Sequence, residues 1–257
     1  MLRQAVIFAS FGSADPVVRA KTIDATAAQI QAVFKNIKVV QAYTSNFIRR
    51  KLNTQGTNVL SIAEQIDSLR EGGVKKIIIL PSHLTAGEEF DNKIKIFAAD
   101  DVDVISPLFT PDCNTEFDKH IFDVIIECFN ILGDEELVLI GHGSPHRHNP
   151  VYENLQKLAD SKNLGVHIGV IEPTDTPNFN DVVNRLQRQS VKNILIAPML
   201  FSGGSHINMD IAGDDNNSWK SRLMRADFNI RVCTDGLGTF KIFQRLYVEK
   251  LVNYLAH

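Results

Sequence analysis

Cysteine is scarce in this 257-residue chain, and its net charge is small. The three cysteines, Cys113, Cys128 and Cys233, lie far apart, are odd in number and stand outside any CxxC spacing. This pattern gives little support to a disulfide framework or a structural zinc site, and it favours a cytoplasmic location. The net charge of −3 at pH 7 supplies no basic field to hold a phosphate backbone, so we expect no nucleic-acid partner.

Long hydrophobic runs and nucleotide-binding motifs are also lacking. The apolar stretch from Ala5 to Phe11 is too short to cross a membrane, and it lacks the charged leader and cleavage pattern of a signal peptide. We therefore expect no membrane partner and interpret this stretch as a buried strand. No GxGxxG follows it and no GxxxxGKS occurs in the chain, so no organic cofactor is expected.

The chain does contain a regular alternation of elements. Short runs rich in Val, Ile and Leu alternate with longer segments of helical periodicity, as expected for parallel strands covered on both faces by crossover helices. The predicted fold class is therefore α/β. Strands are predicted at Gln4–Ala9, Lys38–Ala42, Lys76–Leu80, Val102–Ile105, Leu137–Ile140, His167–Val170, Asn193–Ala197 and Ile230–Cys233. Helices are predicted at Asp15–Phe34, Ser61–Glu71, Pro111–Leu132, Asn149–Ser161, Asn178–Gln189 and Thr239–Leu255.

The alternation occurs twice along the chain. Val74–Pro81 aligns with Val191–Pro198, and each copy reaches a glycine six residues past its proline. Ala5–Ser13 likewise resembles Glu136–Ser144. Apolar runs match easily, so the shared order of elements carries the interpretation. We predict two similar open α/β lobes, 1–132 and 133–257, with the last helix free to pack back on the N-terminal lobe, and loops at the carboxyl ends of the strands around one crevice.

The strongest local motif is Gly141-His142-Gly143-Ser144, where the fifth predicted strand ends. Small neighbours let a bulky ligand approach the imidazole and leave the backbone free to turn. A neutral imidazole there can bind a divalent ion or accept a proton near neutral pH. Taken alone, the motif fits a tight turn with an exposed histidine equally well.

Two further residues occupy similar places beside predicted strands. His206 follows glycines shortly after the seventh strand, and Glu172 follows the sixth, although Glu172 alone fits a solvated charge as well. Two histidines and one carboxylate with an open position form a ligand set for zinc, iron, cobalt or nickel, and spacing does not select among these metals. No HExxH helix or GxSxG elbow points to hydrolysis.

The first half carries its own polar stretch at the position equivalent to the His206 loop. It contains His83, Glu88 and Glu89, which can line the opposite wall of the crevice. Glu88 and Asp91 fit equally well as surface acids in the first turn of a helix, where they favour its dipole.

Together these motifs resemble those of the anaerobic-pathway sirohydrochlorin cobaltochelatases, relatives of the class II chelatases that include ferrochelatase. The resemblance runs over nearly the whole chain, and its last segment is the most specific. It rests on Phe11–Ser13, Ala42–Ser45, Ile48–Leu52, Ser82–Phe90, Gly141–Gly143, Val170–Glu172 and Gly204–Asp210 with Asp214–Lys220.

The resemblance implies two Rossmann-like lobes with the active site in the cleft between them, and it assigns metal contact and catalysis to His142, Glu172 and His206. It also implies two substrates, the tetrapyrrole sirohydrochlorin and a divalent metal ion, with Co²⁺ expected. The sequence departs from the family pattern at Pro173, where a small polar residue is commoner, and at Ser205, where an acid often precedes the second histidine. Neither departure removes a proposed ligand.

Metal insertion requires that the ion lose water and that two pyrrole N–H protons leave the ring. His142 and His206 would hold the ion and accept these protons as general bases, while Glu172 would neutralise charge and orient the pair. The substrate-contact candidates are Phe11, Ser13, His83, Glu89, Arg49, Met199 and Phe201, with Phe90 for the ring faces and Arg50, Lys51, Lys93 and Arg147 for substrate carboxylates. The apolar candidates fit equally well as core, and the cations as solvated surface.

Two other functions stay open at this stage. The same residue types accept Fe²⁺ or Ni²⁺, so the chain fits a sirohydrochlorin ferrochelatase or a nickel chelatase. It also fits a non-catalytic haem- or metal-binding delivery protein, which would bind its cargo stoichiometrically without turnover. A homo-oligomer is compatible with the sequence, but no pattern selects a symmetry.

Overall fold

The computed structural model describes residues 4–145, 148–204 and 206–256, and for His206 it describes the backbone alone. Every predicted strand is present, with ends within one residue of those expected. The strands are β1 (Gln4–Ser10), β2 (Lys38–Tyr43), β3 (Lys76–Pro81), β4 (Val102–Val104), β5 (Glu136–Gly141), β6 (Val166–Val170), β7 (Asn193–Pro198) and β8 (Asn229–Val232).

The strands form two parallel sheets of four strands each, in the orders β2-β1-β3-β4 and β6-β5-β7-β8. In both sheets the first strand along the chain lies second in the sheet and pairs with neighbours on each side. From Ala5 to Ala9 the side chains of β1 are fully buried, as are those from Leu137 to Ile140 in β5. Helices flank both sheets, so the predicted α/β class with two similar parallel sheets is confirmed.

Helices connect the parallel strands. They are α1 (Pro16–Arg19), α2 (Ala25–Val33), α3 (Asn46–Thr54), α4 (Ile62–Glu71), α5 (Glu88–Lys93), α6 (Glu116–Glu127), α7 (Pro150–Ser161), α8 (Phe179–Arg188), α9 (Trp219–Arg225) and α10 (Lys241–Leu255). Turns of π-helix span Ala20–Asp24 and His206–Ile211, and short 3₁₀ turns span Lys95–Phe97 and Leu237–Thr239. None of the helices described here is long and apolar enough to cross a membrane.

Local capping sets several helix starts. Ser61 accepts a hydrogen bond from the backbone of Glu64, whose carboxylate accepts one from the backbone of Ser61, and this capping box begins α4. Thr115 and Asp118 form the same arrangement at the start of α6. A residue of this kind satisfies backbone N–H groups that have no partner within the helix.

The chain divides into two compact units. The first unit comprises the residues up to Leu108 together with those from Gly238 onward, and the second unit runs from Phe109 to Leu237. This boundary differs from the one expected at 132/133, because α6 and the loop before it belong with the second sheet. The final helix, α10, belongs to the first unit, where the hydroxyl of Tyr247 donates to the carbonyl of Ser82 at 2.7 Å.

Each unit has an apolar core on its own sheet. In the first unit, side chains of β1 and β3 pack with α4 and with Phe90. In the second unit, β5 and β7 pack with α8 and α9, and Ile207 and Ile211 of the second π-helix join them. The segment that begins at His206 is therefore anchored by its own apolar residues.

Candidate functional site

His142 stands immediately after β5, one of the two inner strands in the sheet of the second unit. The residue is half-buried, and its Nδ1 lies 3.2 Å from the carbonyl oxygen of Gly143. The strand before it is fully buried from Leu137 to Ile140, so the imidazole marks the point where the chain leaves the core.

The two glycines beside His142 are required by close packing. A Cβ atom on Gly141 would lie 2.2 Å from Cε1 of Tyr152 in α7. Gly143 has a φ of +78°, and a Cβ there would lie 3.0 Å from the Cβ of Val170 and 3.1 Å from that of Glu172. The two glycines were expected to let a ligand approach His142. In the structure, the space that a side chain would fill at these positions is taken by Tyr152 and Glu172.

Glu172 lies beside His142 because pairing between β5 and β6 continues past the strand ends. The backbone N–H of Ile171 donates to the carbonyl of Gly141 at 2.9 Å, and that of Glu172 donates to the carbonyl of His142 at 3.0 Å. Glu172 is half-buried, like His142. The backbone positions of these two predicted ligands are thus fixed relative to each other.

His206 follows β7, the other neighbour of β5. The backbone N–H of Met199 donates to the carbonyl of Ile140 at 2.8 Å, and a loop then leads to the π-helix that begins at His206. The side chain of His206 lies outside the described structure. The three predicted ligands therefore follow three adjacent strands at the carboxyl edge of one sheet, where ligands of α/β sheets usually bind.

The metal site itself stays a prediction. Among the side chains that the structure describes, which exclude that of His206, no group of three His, Cys, Asp or Glu residues is arranged to hold a metal ion. A site built from His142, Glu172 and His206 needs the imidazole of His206 as its third ligand.

The carboxyl edge of the first unit carries the other predicted polar contacts. Glu89 accepts a hydrogen bond from the hydroxyl of Thr44 and an ion pair from Lys93 at 2.8 Å. His83 is half-buried, and its Nδ1 is buried without a hydrogen-bond partner in the described part of the chain. Burial lowers the pKa of His83 to about 4, against the nearby Glu89 carboxylate, which favours the charged ring.

The remaining substrate-contact candidates differ in exposure. Phe11 is 50% exposed, whereas Met199, Phe201 and Phe90 are buried and Ser13 is buried beside Asp15. Arg50 and Lys51 are exposed, and Arg147 lies outside the described residues.

The guanidinium of Arg49 already has partners within the first unit. It pairs with Glu64 at 2.5 Å and donates to Asn46 at 3.1 Å. Contact between Arg49 and substrate remains a prediction.

Two residues at the edge of the second sheet were not identified from the sequence. The hydroxyl of Tyr152 accepts a hydrogen bond from the backbone N–H of Gly143 at 3.4 Å, and the buried carboxylate of Asp175 binds the loop after His142. Tyr152 lies on the apolar face of a predicted helix, and the sequence pattern there indicates a core residue. The stretch Glu172–Pro177 is rich in turn-forming residues, and this is the signal in the sequence for a side chain that organises a loop there.

Comparisons with known proteins bear on the family and the fold of this chain. The family model described as cobalt chelatase (CbiK) matches residues 4–255. A sirohydrochlorin cobaltochelatase of Salmonella typhimurium is 22% identical over 97% of this chain and 96% of its own length. Another, from Nitratidesulfovibrio vulgaris, is 23% identical over 98% of this chain and 90% of its own length.

Solved structures share the fold. The sirohydrochlorin chelatase SirB from Bacillus subtilis subspecies spizizenii, in complex with cobalt, aligns with a TM-score of 0.63 and 11% identity over 98% of this chain and 94% of that one. CbiX, an enzyme of sirohaem biosynthesis in denitrifying bacteria, aligns with a TM-score of 0.56 and 16% identity over 98% of this chain and 99% of that one. With its two parallel sheets and a family match over nearly its whole length, this chain belongs to the CbiK family of cobalt chelatases.

Proposed function

We propose that this protein is a sirohydrochlorin cobaltochelatase, which inserts Co²⁺ into sirohydrochlorin with release of two protons in anaerobic cobalamin biosynthesis. The observation that carries the proposal is the position of His142, Glu172 and His206 after three adjacent strands, in a chain whose family match covers residues 4–255. The relatives named sirohydrochlorin cobaltochelatase support the choice of substrate. We place the reaction in the cytoplasm, and no organic cofactor takes part.

The proposed ligands suit the chemistry of insertion. A neutral imidazole binds a divalent ion through one nitrogen and is basic enough to accept a proton near neutral pH. His142 and His206 hold the ion through the basic nitrogen of each ring and, once the ion has passed to the macrocycle, take up the two pyrrole protons on those nitrogens, while Glu172 balances the charge of the ion beside His142. The backbone hydrogen bond between Glu172 and His142 keeps the two residues on neighbouring segments before the ion arrives.

Apolar and polar contacts for the ring are proposed in the first unit. Phe11 exposes half of its surface directly after β1, which suits an aromatic contact with a flat macrocycle. Glu89, oriented by Thr44 and Lys93, supplies a carboxylate for ring N–H groups, and His83 lies close to it.

Anaerobic incubation of the purified protein with sirohydrochlorin and Co²⁺, Fe²⁺ or Ni²⁺ in turn tests this function. Metallation is followed by the change in tetrapyrrole absorbance, against the spontaneous rate with each ion. We expect turnover of many rings per protein, fastest with Co²⁺. Because general-base assistance contributes roughly 10²- to 10⁴-fold in rate, His142→Ala and His206→Ala should lose about that factor.

His120→Ala is the matched control, because His120 is exposed on α6 and has no role in the proposal. It should metallate at the wild-type rate. If Fe²⁺ or Ni²⁺ is inserted fastest, the protein is a ferrochelatase or a nickel chelatase on the same site. If the wild-type rate never exceeds the spontaneous one, catalysis is excluded and a binding or delivery role replaces it.

A further inference from the structure

Asp175 is a buried carboxylate in the loop that follows β6, three residues after Glu172. The residue is only 1% exposed. Moving an ionised carboxylate out of water costs roughly several kcal/mol unless hydrogen bonds from the protein replace those from water. The partners of Asp175 therefore identify which segments its charge holds together.

Most of these partners belong to the loop after His142. Oδ2 of Asp175 accepts from the backbone N–H of Ser144 at 2.9 Å, and Oδ1 accepts from that of Asn149 at 3.2 Å. Oδ1 also lies 2.8 Å from Nδ1 of His148, which must carry the proton because a carboxylate only accepts. One further bond, from the backbone of Thr176 at 2.9 Å, comes from the loop of Asp175 itself. We call Asp175 with Ser144, His148 and Asn149 the Asp175 clamp.

The backbone closes the same connection from the other side. The N–H of Asp175 donates to the carbonyl of Glu172 at 3.2 Å, and the N–H of Glu172 donates to the carbonyl of His142 at 3.0 Å. Ser144, two residues after His142, returns to the carboxylate of Asp175. The loops that carry His142 and Glu172 are thus joined both by backbone bonds and by one buried charge.

The nearby secondary structure has its own supports. Helix α7 begins with Asn149 as N-cap, whose side chain accepts from the backbone of Val151, and Pro150 follows as its first residue. Strands β5 and β6 are paired along their length. The clamp acts beyond these elements, on the loop segments that hold His142 and Glu172.

We propose that Asp175 is a positioning residue for metal binding, which holds the His142 loop against the Glu172 loop so that both ligands are set before the ion arrives. This inference rests on the proposed function only in naming His142 and Glu172 as ligands. Ligands that are already ordered lose little conformational freedom on binding, and residues behind the ligands commonly change metal affinity by about 10- to 100-fold. Asp175 itself does not touch the ion.

The test is Co²⁺ binding to the protein without tetrapyrrole, measured by calorimetry for wild type and Asp175→Asn. Asparagine keeps the shape of the side chain but presents an amide N–H₂ where a backbone N–H must donate. We expect Co²⁺ affinity to fall by about 10- to 100-fold. In the metallation assay the KM for Co²⁺ should rise, the KM for sirohydrochlorin should stay unchanged, and excess Co²⁺ should restore much of the rate.

Asp118→Asn is the matched control within the second unit. Asp118 is also fully buried, and its carboxylate also accepts four hydrogen bonds, from the backbone and hydroxyl groups of Thr110 and Thr115. It should lower the thermal midpoint to a similar extent as Asp175→Asn while leaving Co²⁺ affinity within about twofold of wild type, since no metal ligand depends on it.

Equal Co²⁺ affinity in wild type and Asp175→Asn would overturn the proposal, as would an equal loss in Asp118→Asn. Should Asp175→Asn fail to fold, His148→Ala decides. The His148 side chain is 48% exposed, so its removal should be tolerated, and the substitution breaks one bond of the clamp. Weaker Co²⁺ binding by that variant supports the clamp, and unchanged binding overturns it. Failure of the wild type to metallate sirohydrochlorin would remove the proposed function alone, because the comparison of Co²⁺ affinities uses no tetrapyrrole.

Discussion

The loops at the carboxyl edges of the two sheets share a pattern of backbone hydrogen bonds but carry different side chains. In the second unit Glu172 N–H donates to the carbonyl of His142 at 3.0 Å; in the first unit Ser45 N–H donates to the carbonyl of Phe11 at 3.3 Å. The glycine that follows has a positive φ in both, +78° at Gly143 and +100° at Gly12. The duplicated strand order therefore extends into the loops that follow the strands.

The side chains on this shared frame differ in chemistry. Phe11 occupies the place of His142, and Ser45, which caps α3, occupies the place of Glu172. On the other side of β1, the carbonyl of His83 accepts from the backbone of Leu108. On the same side of β5, the carbonyl of Leu200 accepts from the backbone of Leu237, so His83 and Leu200 also correspond. The comparison teaches that the backbone frame sets where a side chain stands, while a few substitutions decide which unit carries the residues proposed to bind metal.

The largest expected effect comes from giving the second unit the residue of the first. His142→Phe should lower metallation by about 10²- to 10⁴-fold, because the imidazole is lost as ligand and base. The variant should stay folded, since Phe11 shows that the frame accepts phenylalanine at this place with half of its surface exposed. Metallation rate and thermal midpoint are measured together.

Phe11→Leu is the control in the first unit, because it keeps an apolar side chain at the corresponding place. Phe11 is also the aromatic contact proposed for the macrocycle, so we expect a modest rise in the KM for sirohydrochlorin, while the rate at saturating substrate is largely retained. If His142→Phe metallates as fast as Phe11→Leu, the chemical difference between the two edges does not matter for the reaction, and the assignment of His142 is wrong.

A smaller effect should follow from the glycines that close the frame. Alanine at Gly12 would place its Cβ 2.5 Å from Cδ2 of Tyr43, with a φ that L-residues avoid. Alanine at Gly143 would meet Val170 and Glu172 at 3.0 and 3.1 Å. Combining backbone strain with overpacking, we expect Gly12→Ala to cost about 2–5 kcal/mol in free energy of unfolding, and Gly143→Ala somewhat less.

Gly56→Ala separates the two causes, because Gly56 has a φ of +79° and nothing within 4 Å of its Cβ position. It should show the strain alone, about 1–2 kcal/mol, by urea unfolding. Gly143→Ala should also slow metallation, since it displaces Glu172. Equal losses for Gly12→Ala and Gly56→Ala would mean that the close approach of Tyr43 contributes nothing.

The strands could be predicted from the sequence more closely than the helices. Buried parallel strands are continuous apolar runs, and each was located to within one residue. The helix predicted over Asp15–Phe34 is interrupted by the π-turn Ala20–Asp24. The hydroxyl of Thr22 in this turn donates to the carbonyl of Val18, and that of Thr26 just after it donates to the carbonyl of Thr22. Apolar periodicity does not register such an insertion.

Other helices were missed or overextended because their ends depend on caps. The predicted helix Pro111–Leu132 shortens to α6, whose start is set by the capping box of Thr115 and Asp118. Helices α3 and α9 were not predicted, although Ser45 and Ser218 cap them with their side chains. Short helices carry too few turns for a periodic apolar signal.

The site shows the same division. Because each follows a buried strand, the places of His142 and Glu172 could be predicted, and the sheet order brings them together. The Asp175 clamp could not, because two of its three donors, at Ser144 and Asn149, are backbone N–H groups that lie 31 and 26 residues away in the sequence. Backbone donors leave no mark in the residue types of a sequence.

The smallest effect concerns His83, which stands where the second unit has Leu200. Burial lowers the pKa of His83 to about 4, and Glu89, Lys93 and Phe90 lie around it. Between about pH 4 and 6.5 the unfolded chain binds more protons at this residue than the folded one, so the free energy of unfolding rises with pH across that window. Acidification from pH 6.5 to 4 should therefore remove about 2 kcal/mol of stability through His83, allowing for its partial exposure.

His83→Leu, which borrows the residue of the second unit, removes this titration. Urea unfolding at pH 4.5 and 7 should show a smaller loss of stability on acidification for His83→Leu than for wild type, and His120→Gln, at an exposed histidine, is the control for removing a histidine. Parallel losses in His83→Leu and wild type would mean that His83 is protonated as readily in the folded chain as in the unfolded one. The half-buried imidazole of His83 would then titrate as a solvated group despite its buried Nδ1.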